Sequence, residues 1–145
     1  MKFLRILVPV SGADSDKEAV QLACKLARES KGKVYVIHVI KVRRSLPVDA
    51  DMEPDTLTAE RILKNAEDTA REQDCKIETD LLQTREAGPA IINDALERQV
   101  DLIIVGMSYR KRFGRFELGE TIPYVLKNSL CQVIVLRRAA PEVLK

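Results

Sequence analysis

The sequence predicts an α/β protein in which helices cover both faces of a parallel β-sheet. Short apolar runs without polar alternation, such as residues 6–10 and 102–106, are typical of strands that are buried on both faces. Segments with apolar residues at helical spacing separate these runs. Such alternation favours right-handed crossovers between parallel strands. The chain has 145 residues, 46% of them hydrophobic and 32% charged, which suits a single domain over residues 1–145.

Five strands follow from the apolar pattern. Four of them are continuous apolar runs. The third along the chain alternates polar and apolar residues, as expected for a strand nearer the edge of the sheet. In chain order the predicted strands cover residues 6–10, 34–40, 76–83, 102–106 and 133–136.

The first predicted helix covers residues 15–31, directly after the first strand. Ser15 and Glu18 have the spacing of a capping box, which would satisfy free amides at the helix N-terminus. Gly32 stands where a C-terminal cap is expected.

Three further helices are predicted. Residues 41–57 form an exposed connection, after which the second helix begins and turns Leu57 inward. Gly88 and the proline after it open the third helix, which has Leu96 on its inner face. The fourth helix is short and covers residues 121–127.

Charge balance and cysteine content argue against a nucleic-acid-binding domain and against a disulfide-stabilised scaffold. Lys and Arg number 24 against 22 Asp and Glu, and the net charge of +2 argues against a dedicated nucleic-acid-binding domain. The widely spaced cysteines Cys24, Cys75 and Cys131 indicate reduced thiols rather than a disulfide scaffold. No run reaches about 18 apolar residues, and the first residues do not resemble a signal peptide. We therefore expect a cytoplasmic protein without membrane insertion.

Ligands of open parallel sheets bind beyond the carboxyl ends of the strands. The loops that follow Val10, Ile40 and Gly106 are therefore the candidate binding loops. The loop after Val10 contains Ser11 and two aspartates. Their plain interpretation is a turn with a helix N-cap, and the alternative is a ligand contact at the helix N-terminus.

The segment between Gly106 and Thr121 is longer than a connection requires, and it is basic. Its cations are Arg110, Lys111, Arg112 and Arg115. The plain interpretation is a solvated loop whose two phenylalanines fold back onto the helices. The sharper one is a docking surface from Arg110 to Arg115 for an acidic partner or a phosphorylated ligand. The chain has neither a P-loop nor a dinucleotide-binding glycine fingerprint after a strand.

Residues that could catalyse a reaction are scarce. His38 is the only histidine, and because it lies in an apolar strand we interpret it as a core histidine with satisfied hydrogen bonds. No paired His or Cys residues mark a metal site. Glu117 and Glu120 are interpreted as charges that favour a helix N-terminus. We therefore predict no catalytic residues, no metal site and no enzymatic activity.

Residues 6–10, 36–40, 101–106 and 119–135 together resemble the universal stress protein family. The resemblance implies an open, adenine-nucleotide-hydrolase-like α/β fold with strand order 3-2-1-4-5. It also implies a homodimer formed through the last strand, from Val133 to Leu136. Such pairing would cover an apolar edge strand, which is otherwise prone to aggregation.

Family members that bind ATP have Asp after strand one and the pattern Gly-x2-Gly-x9-Gly-Ser/Thr after strand four. Gly106 and Gly119 keep two of the glycines. Ser11 replaces the Asp, Tyr109 the second glycine and Glu120 the Ser or Thr. The tyrosine hinders the close approach of phosphates, and the glutamate carboxylate repels them. The resemblance thus implies a degenerate nucleotide pocket, and we expect no bound cofactor. The alternative is that the protein binds ATP or AMP in a site of atypical geometry.

The predicted ligand site consists of Val10, Ser11, Val39, Gly106, Tyr109, Gly119, Glu120 and Thr121. The leading functional hypothesis is a cytosolic stress-response regulatory module that acts as a dimer. Residues 109–114 and 117–123 also resemble stress-protein domains attached to transporters. A regulatory domain associated with a membrane transporter is therefore a further alternative.

Overall fold

A computed structural model describes residues 2–107, 111–112, 115–116 and 120–139, and it describes the two short pairs by their backbone only. Its main feature is a five-stranded sheet. The strands are β1 (Arg5–Pro9), β2 (Lys33–Lys41), β3 (Ile77–Thr84), β4 (Leu102–Met107) and β7 (Gln132–Arg137). They are parallel and follow the order β3-β2-β1-β4-β7, which confirms the predicted order 3-2-1-4-5.

The segment between β4 and the last helix contains a small hairpin. Its strands β5 (Lys111–Arg112) and β6 (Arg115–Phe116) pair antiparallel. The sequence pattern did not predict it, because strands of two residues are too short to show periodicity.

Four helices cover the sheet. They are α1 (Ser15–Ser30), α2 (Glu53–Glu72), α3 (Ala87–Glu97) and α4 (Thr121–Asn128). Alternate side chains of β1 point to opposite faces: Ile6 and Val8 pack with α1 and α2, whereas Leu7 packs with α3 and α4. The same alternation in the neighbouring strands produces two apolar cores, which confirms helices on both faces.

Both predicted caps of α1 are wrong. Asp14 is the N-cap residue and Ser15 is already helical, so the Ser15 hydroxyl does not cap the helix. At the other end Lys31 adopts the left-handed conformation, with a φ of 55°, and its amide closes the last turn. Gly32 is needed for packing instead, because a Cβ there would lie 2.4 Å from the carbonyl oxygen of Phe3 and would clash with it.

Two leucines predicted to face inward are exposed. The helix α2 begins at Glu53, earlier than predicted, and its buried side includes Ala59 and Ala66. Leu57 lies two residues before Ala59, about 200° around the helix, and is 56% exposed. Leu96 directly follows the buried Ala95, about 100° around α3, and is 51% exposed.

Candidate ligand site at the carboxyl ends of the strands

The carboxyl end of β1 is tied to β2 by two contacts of Val10. Its amide donates to the carbonyl oxygen of Ile37 at 2.8 Å, and its carbonyl oxygen accepts from Nδ1 of His38 at 2.8 Å. A carbonyl can only accept, so Nδ1 carries the proton. His38 is half-buried and its hydrogen bond is made within the sheet, as predicted.

The loop after β1 is organised around the carboxylate of Asp16. This carboxylate accepts from the amide of Ser11 at 3.1 and 3.2 Å and from the amide of Gly12 at 2.6 Å. Partial burial raises the pKa of Asp16, while the loop amides and His38 act in the opposite direction. An anion from the chain itself therefore occupies the amides that a ligand anion would need.

Gly106 lies directly against the first turn of α1. A Cβ on Gly106 would be 2.8 Å from the carbonyl oxygen of Ser15 and 3.1 Å from its Oγ. The glycine is therefore required for α1 to pack on β4, whether or not a phosphate approaches. Ser15 is fully buried, and its Oγ has no hydrogen-bond partner among the residues that the structure describes.

The start of α4 lies in a cleft of about 290 Å³ that also includes the start of α3 and the end of β2. Glu120 is the N-cap residue of α4, yet its exposed carboxylate makes no capping hydrogen bond. Thr121 is the first helical residue and is half-buried. Three cations line the same cleft: Lys41, Arg44, which is 3.8 Å from Glu86, and Arg85, which donates to a backbone carbonyl.

The residues predicted for the ligand site divide between two clefts in the described part of the chain. Ser11 lines a cleft between α1 and α2, whereas Glu120 and Thr121 line the cleft between α3 and α4. Val39 packs against the core beneath α3 and α4. The buried Val10 directly follows β1, and the half-buried Val39 and Gly106 lie in the neighbouring strands β2 and β4. Tyr109, Gly119 and the side chains from Arg110 to Arg115 lie outside the described residues.

Sequence reasoning missed two residues of this region. The sequence pattern places Asp16 in a turn, although an aspartate four residues after a glycine can fold its carboxylate back onto the loop amides. The pattern predicts a capping role for Ser15, and no local pattern indicates that its hydroxyl lies against Gly106 of β4. Both contacts depend on the direction in which α1 leaves the loop.

Neither a metal site nor a membrane span is found in the described ranges. They contain no group of three His, Cys, Asp or Glu residues that could hold a metal ion. None of their helices combines the length and apolar character needed to cross a membrane.

Comparison with known proteins connects this geometry to a family. The sequence profile of the universal stress protein family matches residues 2–137. A curated relative, the universal stress protein MJ0531 of Methanocaldococcus jannaschii, is 30% identical over 146 residues, covering 97% of this chain and 85% of the relative.

Solved structures agree with the fold. The universal stress protein of Archaeoglobus fulgidus superposes with a TM-score of 0.73 at 25% identity, over 93% of this chain and 94% of that chain. A structure of the universal stress protein from Archaeoglobus fulgidus in complex with dAMP has a TM-score of 0.72 at 23% identity, over 93% and 98% of the two chains. With a family profile that spans almost all of its residues and a sheet of the same order as predicted, the chain belongs to the universal stress protein family.

Proposed function

We propose that this universal stress protein is a stress-response regulator whose nucleotide pocket is degenerate, so that ATP is not an ordinary ligand. The observation that carries the proposal is the carboxylate of Asp16 on the amides of Ser11 and Gly12. A phosphate that approached this loop would have to displace an anion that the loop already holds. In a partly buried setting two like charges at contact distance repel by several kcal/mol.

A second carboxylate supports the same conclusion. Glu120 precedes α4, where the amides of a helix N-terminus would otherwise favour a phosphate. Its side chain is exposed and no capping bond holds it away from the cleft. At Ser11 a short hydroxyl stands where the ATP-binding pattern has a carboxylate, so an acceptor is lost as well.

An atypical adenine-nucleotide site is the second candidate. The buried Ser15 Oγ has no partner among the described residues, and buried hydroxyls are normally hydrogen-bonded. The Archaeoglobus fulgidus relative was solved with dAMP. A nucleotide group that donated to or accepted from the Ser15 hydroxyl would satisfy it.

The proposed mode of action is regulatory rather than catalytic. The single histidine, His38, lies within the sheet, where its Nδ1–H donates to the backbone carbonyl of Val10. We place the protein in the cytoplasm, which suits its three free cysteines. The proposed assembly is a homodimer through β7.

Titration calorimetry with ATP tests the degenerate pocket. The wild-type chain should show little or no heat of binding. The triple variant Ser11→Asp, Tyr109→Gly, Glu120→Ser should bind ATP measurably. The first substitution restores the carboxylate acceptor, the second allows phosphates to approach the backbone, and the third replaces a repelling carboxylate with a hydroxyl donor. As a matched control, Glu97→Ser removes an exposed carboxylate at the end of α3 and should leave binding unchanged.

Two outcomes would contradict the proposal. Tight binding of ATP by the wild-type protein would promote the second candidate. A triple variant that folds but still fails to bind would show that the pocket differs by more than these three contacts.

A further inference from the structure

Two of the three cysteines meet on one face of the sheet, although they are 51 positions apart in the chain. Cys24 lies on α1, is 1% exposed and belongs to the apolar core beneath α1 and α2. Cys75 lies between α2 and β3 and packs against the same core, where the two thiols are close enough to interact. Cys131 packs against the core on the opposite face. The fold therefore brings Cys24 and Cys75 together and keeps Cys131 apart from both.

The turn that carries Cys75 is fixed to both helices of this face. The amide of Cys75 donates to the carbonyl oxygen of Ala70 at 2.9 Å and so closes the end of α2. One turn beyond Cys24 on α1, the guanidinium of Arg28 donates to the carbonyl oxygen of Gln73, the residue that ends α2. This hydrogen bond holds α1 against the turn, so the proximity of the two thiols is built into the packing of the helices.

The two thiols differ in their access to solvent. Cys75 is half-buried and lines an open cleft of about 450 Å³, which a small oxidant can enter. Its Sγ lies 3.8 Å from the carbonyl oxygen of Lys76, which is only a weak contact. Burial raises the pKa of the Cys24 thiol, and the neighbouring Cys75 thiol raises it further. Cys24 is therefore a neutral thiol at neutral pH, and a dissolved oxidant meets Cys75 first.

We infer that Cys24 and Cys75 form a reversible redox pair that closes to a disulfide when the protein meets a hydroperoxide. In the first step the Cys75 thiolate attacks the peroxide oxygen. The O–O bond breaks, Cys75 becomes a sulfenic acid, and the other oxygen leaves as an alcohol or water. In the second step the sulfur of Cys24 attacks the sulfenic sulfur. The S–O bond breaks as the S–S bond forms, and the hydroxide leaves with the Cys24 proton as water. The two thiols are thus oxidised by two electrons, which reduce the hydroperoxide, and a dithiol reverses the change by exchange.

This pair goes beyond the proposed regulatory role, because it supplies a chemical signal to which the protein responds. Most disulfides of cytoplasmic proteins are transient and serve catalysis or redox sensing. The disulfide would tie α1, whose first turn packs on Gly106, to the segment before β3. Neither cysteine lines a cleft that contains the predicted ligand residues, so the inference does not rest on the state of the nucleotide pocket.

Disulfide mapping of the full-length protein tests the pair. The reduced protein is treated with a small excess of hydrogen peroxide, and the remaining thiols are alkylated in denaturant. The monomer should lose two hydrogens and be alkylated only at Cys131. Tryptic peptides 18–25 and 72–76, which contain Cys24 and Cys75, should be joined and should separate on reduction with dithiothreitol. Alkylation of both cysteines after oxidation, or a link through Cys75 between two molecules, would overturn the inference.

Variants separate the roles of the two thiols. Cys75→Ser should abolish the disulfide, whereas Cys24→Ala should stop the reaction at a Cys75 sulfenic acid that dimedone traps. Cys131→Ser is the matched control, because Cys131 is also half-buried but lies across the sheet, and this variant should form the disulfide at the wild-type rate. Loss of the disulfide in Cys131→Ser would overturn the inference. If Cys24→Ala does not fold, the wild-type peptide map and the Cys75→Ser variant decide the question. The ATP titration described above can fail or succeed without changing this result.

Discussion

At the scale of single residues, Asp16 has the largest effect on the candidate site. It draws the amides of Ser11 and Gly12 onto one carboxylate and so sets the shape of the loop between β1 and α1. Two opposing contributions, hydrogen bonds from the loop amides and partial burial, determine how the ionised carboxylate affects the free energy of unfolding. The amides favour the ionised carboxylate, whereas partial burial disfavours it, and burial is the larger effect on its pKa.

This balance predicts how stability changes with pH in a comparison with Asp16→Asn. Because the pKa of Asp16 is raised above 3.8 in the folded state, the folded protein binds more protons than the unfolded chain between 3.8 and the raised pKa. The wild-type free energy of unfolding therefore falls as the pH rises through that window and recovers as the pH falls. Asn cannot titrate, so acidification from neutral pH towards 3.8 should favour wild type over the variant.

Urea unfolding at several pH values measures the difference. At neutral pH we expect Asp16→Asn to be less stable by about 1 kcal/mol, since one amide oxygen replaces two carboxylate oxygens as acceptor. A wild-type advantage that shrinks on acidification would mean that the loop amides, rather than burial, dominate the pKa.

At the scale of elements, the contact between α3 and α4 depends on Gly88. A Cβ at this position would lie 2.7 Å from Cδ1 and 3.0 Å from Cβ of Tyr124. We expect Gly88→Ala to destabilise the protein by about 1–3 kcal/mol through overpacking, although Ala favours the helix more than Gly does.

A double-mutant cycle with Tyr124→Ala separates these effects. Once the ring is removed, Gly88→Ala should cost little or become stabilising, as measured by denaturant unfolding. Additive effects in the cycle would show that the two helices adjust around the extra methyl group.

At the scale of the whole molecule, the two edges of the sheet differ in character. The edge strand β3 carries the exposed charged residues Glu78 and Asp80, which protect it against pairing. The other edge strand, β7, has four consecutive half-buried apolar residues from Val133 to Leu136. This contrast favours β7 as the surface at which two copies meet.

Light scattering at tens of micromolar should therefore report a dimer. Leu130 lies two residues before β7 and is 86% exposed, so Leu130→Glu should shift the protein towards monomer. Leu4→Glu is the control, because Leu4 is 55% exposed but precedes β1 in the centre of the sheet. A wild-type monomer, or equal dissociation by both variants, would argue against an interface at β7.

The sequence alone determined the alternation of strands and helices, whereas the edge position of the last strand came from the family resemblance. The alternation depends on hydrophobic periodicity, which is local: residues 6–10 and 102–106 are apolar because both of their faces are covered. Periodicity predicted the wrong side of the helix for Leu57 and Leu96. Successive helical residues are about 100° apart, so an error of one position in the helical phase turns a buried side chain into an exposed one.

Only the tertiary structure decided what the candidate site contains. It placed Ser15 against Gly106, 91 positions apart in the chain, and so gave the glycine a packing role that the sequence pattern assigned to a phosphate. It turned Asp16 onto the loop amides and separated Ser11 from Glu120 into two clefts. Such relations depend on how helices leave the sheet and approach one another, and spacing along the chain does not determine those directions.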